Sequence, residues 1–539
     1  MRKDLTTTFL ITALYSSIAF AAEPEPQQDI ALFFLADPQV HNVHGAALKQ
    51  MFPIADFASK VAIRPAEVNL LAPLVLRHAL ETGRTSVAGQ SNVVVVLGDG
   101  TNIGCTGEAD LFDDEFARIP GLVRLMAHGN HDSYLMGTVN SYGPVKDNEE
   151  IPREMLDPDV LLPVDEGWWK STAEPIVKST SPRHRNWRDA CYKPGTSRRP
   201  PGTPMNKVRW LARYAKDLES HGLIQRPEGT TDAGGLRYSG SAEPSKPLAA
   251  LNYRSLGVWY RPKIEHGAGV NGYQRTWNSF LIQVVDVSDR HTLVLIDTSV
   301  CPHAFGGIRM WGSNAGTNSC IGEEQFDEIE KLLQLVPASR HVIFAGHFPM
   351  KFLVDQERNR LRDLMRSRNP AGWTYISGHT HDASSPYVDQ GGMDMNIGST
   401  TDWPMESNVI RFAAASTQIT AVDSFAIGKS YLPLSYSVKW KLAGRYSELC
   451  RHIGAARALA DAKPAVYEEE WVSPPMTRDK CVEVQKEWKS RARELSDAQT
   501  RISDRFDNEP NYRRFILRLA AGASLYEYRN GRRTHQKIR

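Results

Sequence analysis

Five short apolar runs, each ending in a cluster of polar side chains, constrain this chain more than any other feature of its sequence. Ala31-Leu32-Phe33-Phe34-Leu35-Ala36 runs into Asp37, and Val93-Val94-Val95-Val96-Leu97 into Gly98-Asp99. Leu122–Met126 leads to Gly129-Asn130-His131-Asp132, Val342–Phe344 to Gly346-His347, and Trp373–Ile376 to Gly378-His379-Thr380-His381. Continuous apolar runs of this length predict strands covered on both faces. Polar groups just past strand ends are where layered α/β folds place their chemistry. Phe280–Val285 and Thr292–Ile296 predict two more strands, paired around Ser288-Asp289, and Met393–Ile397 another. Between them Glu323–Leu335 carries Phe326, Ile329, Leu332 and Leu333 at helical spacing, with Pro337 as a stop.

Two regions break this alternation. From about residue 137 to 272 the chain is rich in Pro, Gly, Arg and Trp and weakly periodic, which predicts a large irregular insertion. Its basic stretches, Pro182–Arg188 and Ser197–Arg199, read as solvated loops, the alternative being a guanidinium wall that meets substrate phosphate. Residues 435–539 shift towards charged helix formers. There Val484, Trp488, Ala492, Leu495, Ile502 and Phe506 form an amphipathic stripe expected to pack on the main domain.

The N-terminus sets the compartment. Arg2 and Lys3 precede the mostly apolar Leu5–Phe20 and the small-residue pattern Ala19-Phe20-Ala21, so residues 1–21 read as a cleaved export signal and the protein as periplasmic or secreted. The even count of 6 Cys favours disulfides there, with Cys301–Cys320 and Cys450–Cys481 closing the shortest loops. A net charge of +2, from 64 Lys+Arg against 62 Asp+Glu, excludes nucleic-acid or membrane binding driven by overall charge. Protein partners are not legible.

Read in order, the clusters are Asp37-Pro38-Gln39, Gly98-Asp99, Gly129-Asn130-His131-Asp132, Gly346-His347 and Gly378-His379-Thr380-His381. This order resembles the calcineurin-like metallophosphoesterase superfamily, whose pattern is Asp-x-His, Gly-Asp, Gly-Asn-His followed by Asp or Glu, a lone His, then Gly-His-x-His. The resemblance covers residues 37–381. It implies a four-layer α/β sandwich over residues 28–430, with two mixed sheets flanked by helices, interrupted by the insertion and followed by the helical extension. It also implies hydrolysis of a phosphate ester by a metal-bridging hydroxide at a dinuclear site, whether of a monoester or a diester.

The residue chemistry agrees with that implication. Carboxylate, imidazole and amide oxygen bind divalent or transition metals such as Mn, Fe and Zn, and no Cys-x-x-Cys pair points to a thiolate site. By the resemblance, Asp99 bridges two metals. Asp37, Gln39 and His381 complete the first position; Asn130, His347 and His379 complete the second. His131 is then the acid at the leaving oxygen, a role that suits imidazole near neutral pH, and Asp132 is expected to orient it or to cap a helix. Gln39 stands where the family usually has His and is a weaker, neutral donor; it is preferred over His41, two residues on. Asn102 stands where purple acid phosphatases would have Tyr, which disfavours that branch, and is a candidate substrate contact. Gly398–Trp403 either shapes the pocket wall or is a structural turn. An alternative function is a non-catalytic exported binding protein on the same scaffold, its first metal position vacant because of Gln39.

Overall fold

The computed structural model describes residues 29–43, 66–88, 92–102, 104–132, 207–220, 224–225, 239–240, 252–259, 263–265, 274–276, 279–299, 319–383, 386–389, 391–431, 448–463 and 488–536. The export signal, the two basic stretches, and positions 191, 301 and 481 lie outside them. Cys105 and Cys320 are disulfide-bonded, and both pairings expected from loop length involve an undescribed position. Among the described residues no helix is long and apolar enough to cross a membrane.

The strands run β1 (Ile30–Leu35), β2 (Val93–Val96), β3 (Val123–Met126), β4 (Asn252–Trp259), β5 (Ser279–Asp286), β6 (His291–Leu295), β7 (His341–Ala345), β8 (Trp373–Ser377), β9 (Tyr387–Asp389), β10 (Gly392–Asn396), β11 (Glu406–Phe412) and β12 (Ile419–Ala426). The helices are α1 (Ala66–Ser86), α2 (Thr106–Ala117), α3 (Lys207–Ser220), α4 (Glu323–Gln334), α5 (Asp355–Arg368), α6 (Ile427–Tyr431), α7 (Glu448–Ala460), α8 (Trp488–Asn508) and α9 (Pro510–Gln536).

Among the described residues the largest sheets have 5 strands in the order β12-β11-β1-β2-β3 and 7 in the order β9-β10-β8-β7-β6-β5-β4; Ile224–Gln225 with Ser239–Gly240, and Lys263–Glu265 with Gln274–Thr276, form separate two-stranded pairs. Both are mixed: β1, β2 and β3 are parallel to one another, as are β6, β7, β8 and β10, while the outer pairs are antiparallel. Their inner faces share one core, in which Leu35, Val95 and Leu125 meet Leu293, Leu295, Ile343 and Ile376. Period-two alternation sends Val294, Val342, Phe344 and Tyr375 to the opposite face, where Phe326, Ile329, Leu361 and Met365 of α4 and α5 cover them. Each such buried apolar side chain contributes roughly 1.5–3 kcal/mol. On the far side α7, α8 and α9 pack on α1 around Leu71, Val75, Leu495, Ile502 and Phe506. The architecture is therefore α/β, two mixed sheets face to face between helical layers, as expected.

The span read as irregular needs correction, most of all at two elements that join the core. β4 lies inside it and pairs antiparallel with β5, from Asn252↔Asp286 to Trp259↔Ser279. α3 buries Trp210, Leu211, Tyr214 and Leu218 against the shared core, and Arg124 on β3 reaches Asp217 of α3 at 3.0 Å. Its stripe at positions i, i+1, i+4 and i+8 was hidden in the sequence by the surrounding Pro, Gly and Arg.

Candidate metal centre

The parallel strands of both sheets deliver their following loops to one place. Asp37 follows β1, Asp99 follows β2 and Asn130 follows β3; His347 follows β7, and His379 and His381 follow β8. Asp37, Gln39, Asp99, His379 and His381 all have positive φ, between 39° and 73°. Among the described non-glycine residues only Met405 shares this. Left-handed backbone is costly for side-chain-bearing residues and persists where the surroundings impose it, typically at working sites. At Gly129 a Cβ would stand 2.1 Å from Asp99 Oδ1, so only glycine admits the carboxylate.

Among the described residues two groups place their donor atoms within 4.8 Å of one another: Asp37, Asp99 and His381, and Asp99, His347 and His379. They share Asp99. On the second side Asn130 Oδ1 lies 2.8 Å from His347 Nε2 and 3.1 Å from His379 Nδ1, and His347 Nε2 lies 3.5 Å from Asp99 Oδ1. On the first side His381 Nε2 is 3.3 Å from Asp37 Oδ1. The Gln39 amide nitrogen is 3.1 Å from Asp99 Oδ2 and 3.3 Å from His381 Nε2; a half-turn of that amide presents its oxygen there instead. His41 points elsewhere, its Nδ1 2.8 Å from Glu108 Oε1.

These donors fit cations. Asp37 Oδ1 is buried and accepts no hydrogen bond. His347 Nδ1 lies 2.7 Å from the Leu97 carbonyl and donates to it. In a neutral ring its Nε2 then carries only a lone pair, directed at the Asn130 and Asp99 oxygens. Buried acceptors facing acceptors are stable when a cation stands among them.

His131 lies beside the pair, its Nδ1 2.5 Å from the Asn102 carbonyl and its Nε2 4.0 Å from Asp99 Oδ2. The Asn102 side-chain amide sits 3.4 Å from His41 Nδ1. Asp132 does not orient His131: its carboxylate accepts the backbone N–H groups of Asp99 at 2.8 Å, Thr101 at 3.2 Å and Gly129 at 2.8 Å. It ties the loops after β2 and β3 together.

Gly398–Trp403 also acts on the site. Ser399 Oγ donates to the Asp37 carbonyl at 2.9 Å, Thr400 Oγ1 to the Ala36 carbonyl at 3.0 Å, and Thr401 Oγ1 to that of Pro38. The Asp402 carboxylate is bonded to His381 Nδ1. Sequence reading offered this run but not Asp402 within it, because an Asp in a Ser/Thr loop is ordinary turn composition.

The electrostatics follow from burial and proximity. Burial opposes ionisation of Asp99, but the imidazoles of His347, His131 and His379 and the His131 N–H hold its carboxyl well below the usual range. Burial and the neighbouring Asp99 push Asp132 well above its usual value, against its three N–H donors. Burial would lower His381, yet Asp37 and Asp402 raise it to about 10.

No protein-family model and no curated protein matches the chain. Among solved structures the chain is similar to a dimetal phosphatase from Danio rerio, with 11% identity and a TM-score of 0.33 over 75% of this chain and 99% of that one. It is also similar to a purple acid phosphatase from yellow lupin (Lupinus luteus) seeds, with 12% identity and a TM-score of 0.29 over 75% of this chain and 55% of that one.

Proposed function

We propose that this chain is an exported, metal-dependent hydrolase of phosphate esters, working with two divalent or transition cations such as Mn, Fe or Zn. One observation carries the reading: two donor groups of mixed carboxylate and imidazole meet at a single shared carboxylate, Asp99. A carboxylate is the side chain with two oxygens to give to two cations. Asp37, Gln39 and His381 would hold one, and Asn130, His347 and His379 the other. When bound, the pair supplies positive charge for the phosphate oxygens and lowers the pKa of water at the centre.

The protein's own groups do the rest. Tight turns at left-handed backbone aim the ligands before any substrate arrives. The Asn102 carbonyl accepts a hydrogen bond from His131 Nδ1–H, so that when the ring is protonated its other N–H, at Nε2, faces the centre and can pass a proton to the departing oxygen. Asn102 stands behind His131 and is a weaker candidate for direct substrate contact.

The test is hydrolysis of p-nitrophenyl phosphate and bis(p-nitrophenyl) phosphate by the mature protein loaded with Mn2+, beside Asp99→Asn. Turnover lost in the variant together with its metal supports the reading, and the faster substrate separates monoesterase from diesterase. Silence with both substrates, in wild-type protein holding fewer than two metals, returns the vacant-site binding scaffold. Export is checked separately: the mature N-terminus is expected at Ala22 in the periplasmic or secreted fraction.

A further inference from the structure

The two metal positions are backed differently. On the second side the outer nitrogen of His347 is held by a backbone carbonyl, that of Leu97, at 2.7 Å. On the first side the outer nitrogen of His381 is held by a side-chain carboxylate, that of Asp402. We propose that Asp402 is the positioning residue of the first metal position. It fixes the His381 ring so that Nδ1–H points at Asp402 and Nε2 at the oxygens of Asp37 and Asp99. The inference rests on the proposed function in that it takes a cation to lie between those atoms.

The surroundings of Asp402 and the make-up of the two positions support it. The backbone of Asp402 is tied to the first-side loop, because its N–H donates to Ser399 Oγ at 3.0 Å while Ser399 Oγ donates to the Asp37 carbonyl at 2.9 Å. The same short loop therefore sets the backbone of one first-side ligand and the ring of another. A carboxylate behind an imidazole raises its donor strength and fixes its tautomer, and loss of such a partner weakens metal binding by about 10–100-fold. That help falls where it is needed, since Gln39 brings a neutral amide to this position and the second position has imidazoles from both His347 and His379.

The experiment strips the full mature protein with chelator and titrates it with Mn2+, reading free Mn2+ by electron paramagnetic resonance. Wild type is expected to take up two equivalents. Asp402→Asn should bind one as tightly as wild type and the other about 10–100-fold more weakly. Asp402→Glu should recover part of the loss. Two wild-type-like equivalents in Asp402→Asn overturn the inference, and so does an equal weakening of both, which would mean general damage to the loop. Fewer than two equivalents in wild type overturns the dinuclear reading itself. Should Asp402→Asn fail to fold, the 15N imidazole spectrum of wild-type protein loaded with Zn2+ decides. A protonated His381 Nδ1, assigned by its loss in His381→Gln, supports the inference, and an unprotonated one overturns it.

Discussion

His131 reaches the centre with its ring already oriented, since its Nδ1 lies 2.5 Å from the Asn102 carbonyl and Asp132 takes no part in aiming it. His131→Gln is therefore expected to lower kcat by about 10²–10⁴-fold while metal content stays at the wild-type value; turnover and metal analysis on one preparation check both halves. A second residue-scale prediction concerns pH. Asp394 is buried on β10, its Oδ2 accepts the Met350 N–H at 3.1 Å, and its Oδ1 accepts no hydrogen bond. Burial pushes its carboxyl from 3.8 up to about 7, against Met350 N–H and Lys351. A carboxyl raised in the folded state holds its proton more tightly there, so its ionisation disfavours the fold increasingly from about pH 4 to 7 and fully above that. Asp394→Asn should stabilise the protein at pH 8 by up to about 4 kcal/mol and hardly at pH 4, as read by urea denaturation at the two values. At this scale the candidate ligands were legible because chemistry restricts their types to Asp, Asn and His after apolar runs. The role of Asp132, and Asp402 itself, were not, because an aspartate that braces a loop has the same sequence appearance as one that caps a turn.

Elements were legible where burial on both faces made them continuous. β2, β7 and β8 stand as runs of Val, Ile, Phe, Trp and Tyr, and structure and sequence agree on them to within a residue or two. β12 was missed: it is an edge strand whose exposed Thr420, Asp423 and Ser424 break any apolar run. The left-handed turns that end the buried strands could be inferred only through their glycines, and one glycine offers a sharp test. Gly129→Ala would drive a methyl to 2.1 Å from Asp99 Oδ1 and 2.3 Å from Asp99 N. Neither atom can retreat, because Asp99 N is bonded to Asp132 and Asp99 Oδ1 accepts the His131 N–H at 2.7 Å. The variant should lose metal binding and roughly 2 kcal/mol or more of stability. Gly121→Ala is the control, since a Cβ there meets nothing within 4 Å although φ is +80°. Its strain should cost about 1 kcal/mol and leave metal content unchanged.

At the scale of the molecule the C-terminal helices are part of the centre's support. Met405 belongs to their core and Trp403 packs against it, while Ser524 of α9 donates to the Thr401 carbonyl at 3.3 Å. The loop that presents Asp402 thus rests on α9. The amphipathic stripe of α8 was readable from spacing; what it covers was not, because α1 lies more than 400 residues earlier and spacing says nothing about such pairings. The joint between them is Arg77 of α1. Its Nε and Nη2 donate to Glu115 at 2.7 Å and 2.8 Å, and its Nη1 reaches Asp507 of α8 at 2.6 Å. Arg77 and Glu115 are only 4% and 7% exposed. Removing Arg77 leaves the buried Glu115 carboxylate only the longer contact with Arg118, at 3.7 Å, so Arg77→Ala should cost about 3–5 kcal/mol, whereas Arg77→Met with Glu115→Leu should recover most of that loss. If α7, α8 and α9 were a separable appendage, truncation after residue 447 would leave a folded, metal-binding core. Exposure of Leu71, Leu74 and Val75 on α1 and loss of the surface beneath the Asp402 loop predict the opposite. The truncated chain should aggregate on expression, and any soluble fraction should bind Mn2+ at the first position more weakly than at the second.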